Sequence, residues 1–127
     1  MANYDNLPVY KAAYDLLVYV FRVGRNMERD YRYTLGETLK KEISGVLVLI
    51  YKANSSVNKE AFIVQAREEI VVVKLQLRLL CDLKQISVKA YAHASLLAES
   101  VSKQLAAWQK AQQRNKEEEY SVCKPSG

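Results

Sequence analysis

Residues 58–83 read NKEAFIVQAREEIVVVKLQLRLLCDL, and the fold turns on whether this stretch is strand or helix. Ile70-Val71-Val72-Val73 taken alone suits a buried strand, as does Val46-Leu47-Val48-Leu49-Ile50 upstream. Length decides against both, because each run lies inside a segment of about 20 residues or more. Ala66, Ile70, Val73, Leu77 and Leu80 recur at steps of three and four, which is one stripe of a helix. Val72, Leu75, Leu79 and Leu83 form a second stripe beside it. With Val71 added, apolar side chains cover well over half the circumference. A helix that is apolar nearly all round is deeply buried, yet a four-helix monomer has no central helix. The excess predicts packing against another chain. The alternative is one wide core face with singly exposed valines.

Three more helices flank this one. Pro8 suits a first helical turn, followed by Tyr10, Ala13, Leu17 and Val20, with Tyr14, Val18 and Phe21 alongside and Gly24 and Asn26 as stop signals. Met27-Glu28-Arg29-Asp30-Tyr31-Arg32-Tyr33 reads as a polar connector. Thr34 and Glu37 make a capping box opening the second helix, whose core positions are Leu39, Ile43, Val46, Ile50 and Ala53. Gly45 in mid-helix costs about 1 kcal/mol relative to Ala and suggests a close crossing. Asn58 caps the third helix, and Gln85-Ile86 connect it to a fourth capped by Ser87. Tyr91, Ala94, Leu97, Val101, Leu105 and Trp108 give the fourth helix its core face. Tyr10, Tyr14, Tyr51 and Tyr91 fall on or beside such faces, and most of the nine tyrosines are read as core or interface residues with hydroxyls at the rim. Short connectors make neighbours antiparallel, so the expected fold is an all-α, up-and-down antiparallel four-helix bundle over residues 1–113, with a disordered C-terminal tail over 114–127.

Composition narrows function. The chain has 127 residues with 4 Gly and 2 Pro, too little punctuation for a β-sandwich or barrel. Cys81 and Cys123 make no disulfide framework, and Cys81 reads as a small core residue. The first residues lack a signal-peptide pattern and no stretch is long enough to cross a bilayer, so a cytoplasmic location without membrane contact is expected. His93 is the sole histidine, and it reads as a packed or surface residue rather than a base or ligand. No Glu-x-x-His pair, phosphate loop or Cys-x-x-Cys occurs, and Glu68-Glu69 and Asp82 read as paired or solvated acids. No catalytic residue, metal or cofactor is expected.

The net charge of +5 points to an anionic partner. Glu37–Lys41 and Glu99–Lys103 have the spacing of favourable i,i+4 pairs, which makes those lysines ordinary surface. Arg67, Lys74 and Arg78 are different: they fall within about 40° of one another on the third helix, with Asp82 as a possible answer to Arg78. They are candidate phosphate contacts, unless Arg67 and Arg78 pair with acids on a neighbouring helix. Arg22, Arg25, Arg29 and Arg32 gather at one end of the bundle, interleaved with Tyr31 and Tyr33. Arginine beside aromatics suits a nucleic-acid surface. Glu28 and Asp30 dilute the cluster, and a solvated connector is the alternative.

Arg32-Tyr33-Thr34-Leu35-Gly36, the run from Leu75 to Lys84 (LQLRLLCDLK) and Leu105-Ala106-Ala107-Trp108 together resemble the accessory variability determinant (Avd) family of diversity-generating retroelements. That family is related to four-helix-bundle proteins encoded in ribosomal RNA intervening sequences. The likeness covers roughly Pro8 to Lys110, and the Leu-x-Leu-Arg-Leu…Asp-Leu run is its most specific part. The resemblance implies a ring-like homopentamer with a positively charged surface, association with a reverse transcriptase, and binding to RNA or DNA. It implies a non-enzymatic accessory role in mutagenic reverse transcription, or retrohoming. Arg78 matches the family's basic position, whereas Arg67 and Lys74 rest on the stripe argument. Two other readings stay open: an intervening-sequence protein, and an interaction module with an acidic protein partner and no nucleic acid.

Overall fold

The computed structural model describes residues 3–123. Among them there are four long helices and no strand: α1 (Pro8–Gly24), α2 (Glu37–Ser55), α3 (Lys59–Asp82) and α4 (Val88–Cys123). Pro8 stands in the first turn of α1 as its ring geometry favours. Sequential helices pack side by side and α1 closes against α4, so the four stand at the corners of a square. Val20, Ile43, Ile50, Ile63, Ile70, Leu77 and Leu105 fill its centre, fully buried. This is the four-helix bundle that the periodicity predicts.

Within this frame the third helix buries its first stripe and exposes its second. Ala66, Ile70, Val73, Leu77 and Leu80 are buried, whereas Leu75 is 67% exposed and Val71 61%, with Val72, Leu79 and Leu83 also exposed. α1 is rotated from the expected face. Its core residues are Val9, Ala13, Leu16 and Val20; Tyr14 and Phe21 point out at 51% and 53% exposure. Val9 and Leu16 sit on the stripe set by Ala13 and Val20, and the aromatic run drew the expected face one step round.

The end of the molecule carrying the α1–α2 and α3–α4 connections departs most from expectation. Thr34 caps nothing. The helical path begins at Arg29, passes through one α-turn (Arg29–Tyr31) and one wide π-turn (Arg32–Gly36), and runs into α2 without a break. Thr34 Oγ1 instead donates to the Asp30 carbonyl at 2.6 Å, the back-bond of a residue already inside a helix. Met27, expected in a solvated connector, is buried. A Cβ on Gly36 would stand 3.3 Å from the Tyr31 carbonyl oxygen, a tight approach to backbone, and 3.4 Å from Met27 Sδ, so glycine eases the close packing here. Gln85, also buried, ties the two connections together: its Oε1 accepts from the Glu28 N–H at 2.9 Å and its Nε2 donates to the Leu83 carbonyl at 3.2 Å. α3 stops where Lys84 adopts φ 60°, with Gln85 N donating to Leu80 O and Lys84 N to Cys81 O. That termination usually uses glycine, since a side chain there costs roughly 1–2 kcal/mol. Ser87 caps α4 as read, its Oγ accepting from the Ala90 N–H.

Asn58 stands before α3 without a side-chain capping bond. The carbonyls ending α2 are met by Lys59, whose Nζ donates to Ala53 O and Asn54 O. α4 is longer than expected: the stretch from Arg114, expected as a tail, is helical to Cys123. Lys116 Nζ reaches Glu60 Oε2 at 2.8 Å and Gln113 donates to the same carboxylate, which lowers its pKa. Residues 124–127, the remainder of the expected tail, lie outside the described residues.

Gly45 faces a side chain rather than a backbone crossing. A Cβ there would meet Glu69 Oε1 at 3.6 Å, an ordinary contact. Glu69 shares a hydrogen bond with Glu42 across the α2–α3 seam, and this, burial and the like charge raise its pKa to about 7. A carboxyl whose pKa rises on folding holds its proton more tightly in the native state. Its contribution is therefore complete below about 4.5 and lost as pH climbs through about 7. Discounted for solvent screening, the effect is on the order of 1 kcal/mol. Urea midpoints should show the wild type losing stability between pH 5 and pH 8 relative to Glu69→Gln (about that much); parallel curves would mean no shared proton.

Candidate nucleic-acid interface

The sequence offers two cationic groups, and the fold treats them differently. Arg67, Lys74 and Arg78 do share one side of α3, along the seam with α4. Lys74 Nζ lies 2.7 Å from Glu99 Oε2, an ion pair between helices that lowers the Glu99 pKa. Arg78 Nε is 3.2 Å from Asp82 Oδ1 one turn along its own helix, and that hydrogen bond and charge raise the Arg78 pKa further. Of the three, only Arg67 has no ion pair among the described residues: its Nη1 donates to the neutral Gln109 Oε1 at 2.6 Å. Arg67 also lines an open groove of about 330 Å³ with Val64, Val71, Ser102 and Gln109. The alternative in which Arg67 and Arg78 pair with acids on a neighbouring helix is not what forms; Lys74 does so instead.

This changes which lysines are available. Glu99 was expected to hold Lys103 and Glu37 to hold Lys41. The structure gives Glu99 to Lys74 and Glu37 to Lys40, the latter at 3.2 Å. A helix exposes its residues to neighbouring helices as well as to themselves, and the i,i+4 rule sees only the second. Lys41 and Lys103 are left exposed, with no ion pair among the described residues.

The second group is the cleaner cationic surface. Arg22 lies in the last turn of α1, Arg25 follows the helix, and Arg29 and Arg32 lie in the turns leading to α2, so chain connectivity alone brings all four to the connector end of the bundle. None forms an ion pair among the described residues. Arg22, Arg25 and Arg29 are exposed. Arg32 is half-buried, its Nε lacks a partner, and its guanidinium lies 5.7 Å from the Tyr33 ring centroid. Tyr33 itself is exposed and Tyr31 half-buried. The sequence reading missed Lys84 and Lys89, which reach the same end from the α3–α4 connection and the first turn of α4. Their place on either side of the Gln85-Ile86 connector was the signal in the sequence. Glu28 and Asp30 are the acids that offset this end; Asp82 and Glu37 are spent on Arg78 and Lys40.

Catalytic material is sparse. No group of three or more metal-ligating side chains occurs among the described residues. His93 is exposed, with its ring centroid 4.4 Å from that of Tyr19. Cys81 is half-buried against the core. No helix of the described residues is long and apolar enough to cross a membrane.

A family model described as bAvd-like matches residues 8–112, nearly the stretch over which the Avd resemblance runs. No curated protein matches the chain.

The pairing along the α3–α4 seam is checkable directly. Carboxyl titration by NMR should find Glu99 below the usual carboxylate range and moving upward in Lys74→Gln, with little change in Lys103→Gln. A larger response to Lys103→Gln would restore the pairing expected from helical spacing.

Proposed function

The chain belongs to the bAvd-like family, and from that premise we propose a non-enzymatic accessory protein of a diversity-generating retroelement. It binds nucleic acid through its connector end, assembles into a ring of identical copies, and works beside a reverse transcriptase in mutagenic reverse transcription. The observation that carries the binding part is the set of exposed arginines at one end with no internal carboxylate partner. Such charges are free to displace counterions from a phosphate backbone, which supplies sequence-independent affinity. Arg22, Arg25, Arg29 and Arg32 therefore rank first as contacts, with Lys84 and Lys89 beside them. Arg67 ranks next, and Arg78 and Lys74, already ion-paired, rank last.

Ring assembly draws on the exposed apolar faces. α1 and α3 occupy opposite corners of the square, so the exposed Tyr14 and Phe21 on α1 and the Val71, Val72, Leu75 and Leu79 face on α3 lie on opposite sides of the bundle. Two different patches facing away from each other favour a head-to-tail contact, which closes into a ring when the rotation per copy divides a full turn. Five copies is the number that the Avd resemblance implies for such a ring. Repeating the body in a ring brings several connector ends onto one rim and multiplies their field.

Affinity for a single-stranded oligonucleotide, measured across a salt series, tests the binding reading. For four phosphate contacts, a fall on the order of 50-fold is expected between about 50 and about 200 mM salt. Converting Arg22, Arg25 and Arg29 to Gln together should flatten the slope and leave helicity unchanged. Salt-independent affinity would reject the electrostatic mechanism. Reverse-transcriptase capture that survives nuclease treatment, with no nucleic-acid binding at all, would favour an interaction module instead.

A further inference from the structure

On the side of the molecule where α1 meets α4, an open groove of about 340 Å³ is lined by Asp15, Val18, Tyr19, Arg22, His93 and Leu97. Its parts differ in kind. His93 is exposed and tilted 58° against the Tyr19 ring at 4.4 Å between centroids. Tyr19 is half-buried and packed on the core, so it has a fixed place from which to hold the imidazole. Val18 and Leu97 supply apolar wall and are half-buried. At the upper rim Asp15 is occupied by Lys11, whose Nζ lies 3.3 Å from Oδ2. At the lower rim Arg22 has no carboxylate partner among the described residues. The groove thus offers an aromatic ring, an apolar wall and one uncompensated cation. Arg22 follows Tyr19 by three positions on one helix, which places their Cβ atoms about 5–6 Å apart. Arg22 and the His93 imidazole thus border the same groove, one from each helix.

We propose that this seam is a stacking site for one unpaired nucleobase of a single-stranded nucleic acid. His93 is the stacking ring, Tyr19 positions it, and Arg22 takes the adjacent phosphate. The inference rests on the nucleic-acid reading above and extends it from backbone charge to base contact. Two other exposed aromatics near the arginines already carry a cation: the Arg32 guanidinium lies 5.7 Å from the Tyr33 ring centroid and the Lys40 ammonium 4.4 Å from that of Phe21. Stacking on an aromatic side chain is worth about 1–3 kcal/mol per base and tolerates any sequence, because every base has a π-face. Arg22 then serves two surfaces, standing at the junction of this groove and the connector end. A strand anchored on the arginines would turn up the α1–α4 seam and seat one base there.

The test compares an oligouridine with an abasic strand of the same length and charge, binding each to the full chain by fluorescence anisotropy at fixed salt. The wild type should bind the base-bearing strand about tenfold more tightly. His93→Ala, at an exposed position, should lose that preference while keeping its affinity for the abasic strand. His93→Phe and Tyr19→Phe should retain the preference, since both keep an aromatic ring. Equal affinity of the wild type for both strands, or a preference unchanged in His93→Ala, overturns the stacking site and leaves the electrostatic reading standing. Failure to bind either strand overturns both.

Discussion

A helix at the corner of a square bundle can bury one stripe of side chains, and α3 carries two. Ile63, Ala66, Ile70, Val73, Leu77 and Leu80 consume the inward face completely. Val71, Val72, Leu75 and Leu79 then have nowhere to go within one chain and remain in water. Covering each such side chain, already partly buried, gives up on the order of 1 kcal/mol of unfavourable hydration. The apolar pattern of α3 therefore does two things at once: its first stripe builds the bundle, and its exposed second stripe is the face on which the proposed assembly rests. The aromatic outer face of α1, at the opposite corner, is the counterpart that a head-to-tail contact needs.

Much of this was legible in the sequence because hydrophobic period is a local signal read out by burial. All five expected core positions of α2, and all five of α3's first stripe, are buried. The failures have a common cause, since each depended on a neighbour that periodicity does not see. Thr34 and Glu37 match a capping box, but Gly36 eases close packing there and the chain is already helical at Arg29. Gln85 looks like an ordinary loop residue until it accepts from the Glu28 N–H on the other connection. The stretch after Arg114 is polar enough to fray, yet Glu60 on α3 gives it a partner. In α1 the aromatics Tyr14 and Phe21 biased the expected face, and Val9 and Leu16 form the one that packs.

The candidate site shows the same division. Grouping Arg22, Arg25, Arg29 and Arg32 required only chain connectivity, and they do share one end. Ranking Arg67, Lys74 and Arg78 required knowledge of where acids on the same and adjacent helices stand. Glu99 removes Lys74 from the pool of free cations and Asp82 partly neutralises Arg78, while Lys103 is left without an ion pair. Charges on a bundle cannot be counted as available until each helix has been seen beside its neighbours. The uncompensated positive charge therefore lies at the connector end more than along the α3–α4 seam, and Lys84, held at positive φ, joins the arginines there.

The account stands or falls on whether α3's second stripe is covered by another copy. Native mass spectrometry of the purified chain at micromolar concentration measures this directly. A single closed oligomer of more than two copies, with five the expected number, follows from a head-to-tail contact between the α1 and α3 faces. A monomer would mean that the exposed stripe has no such role, and a dimer that identical faces meet across a two-fold axis; either would contradict the account.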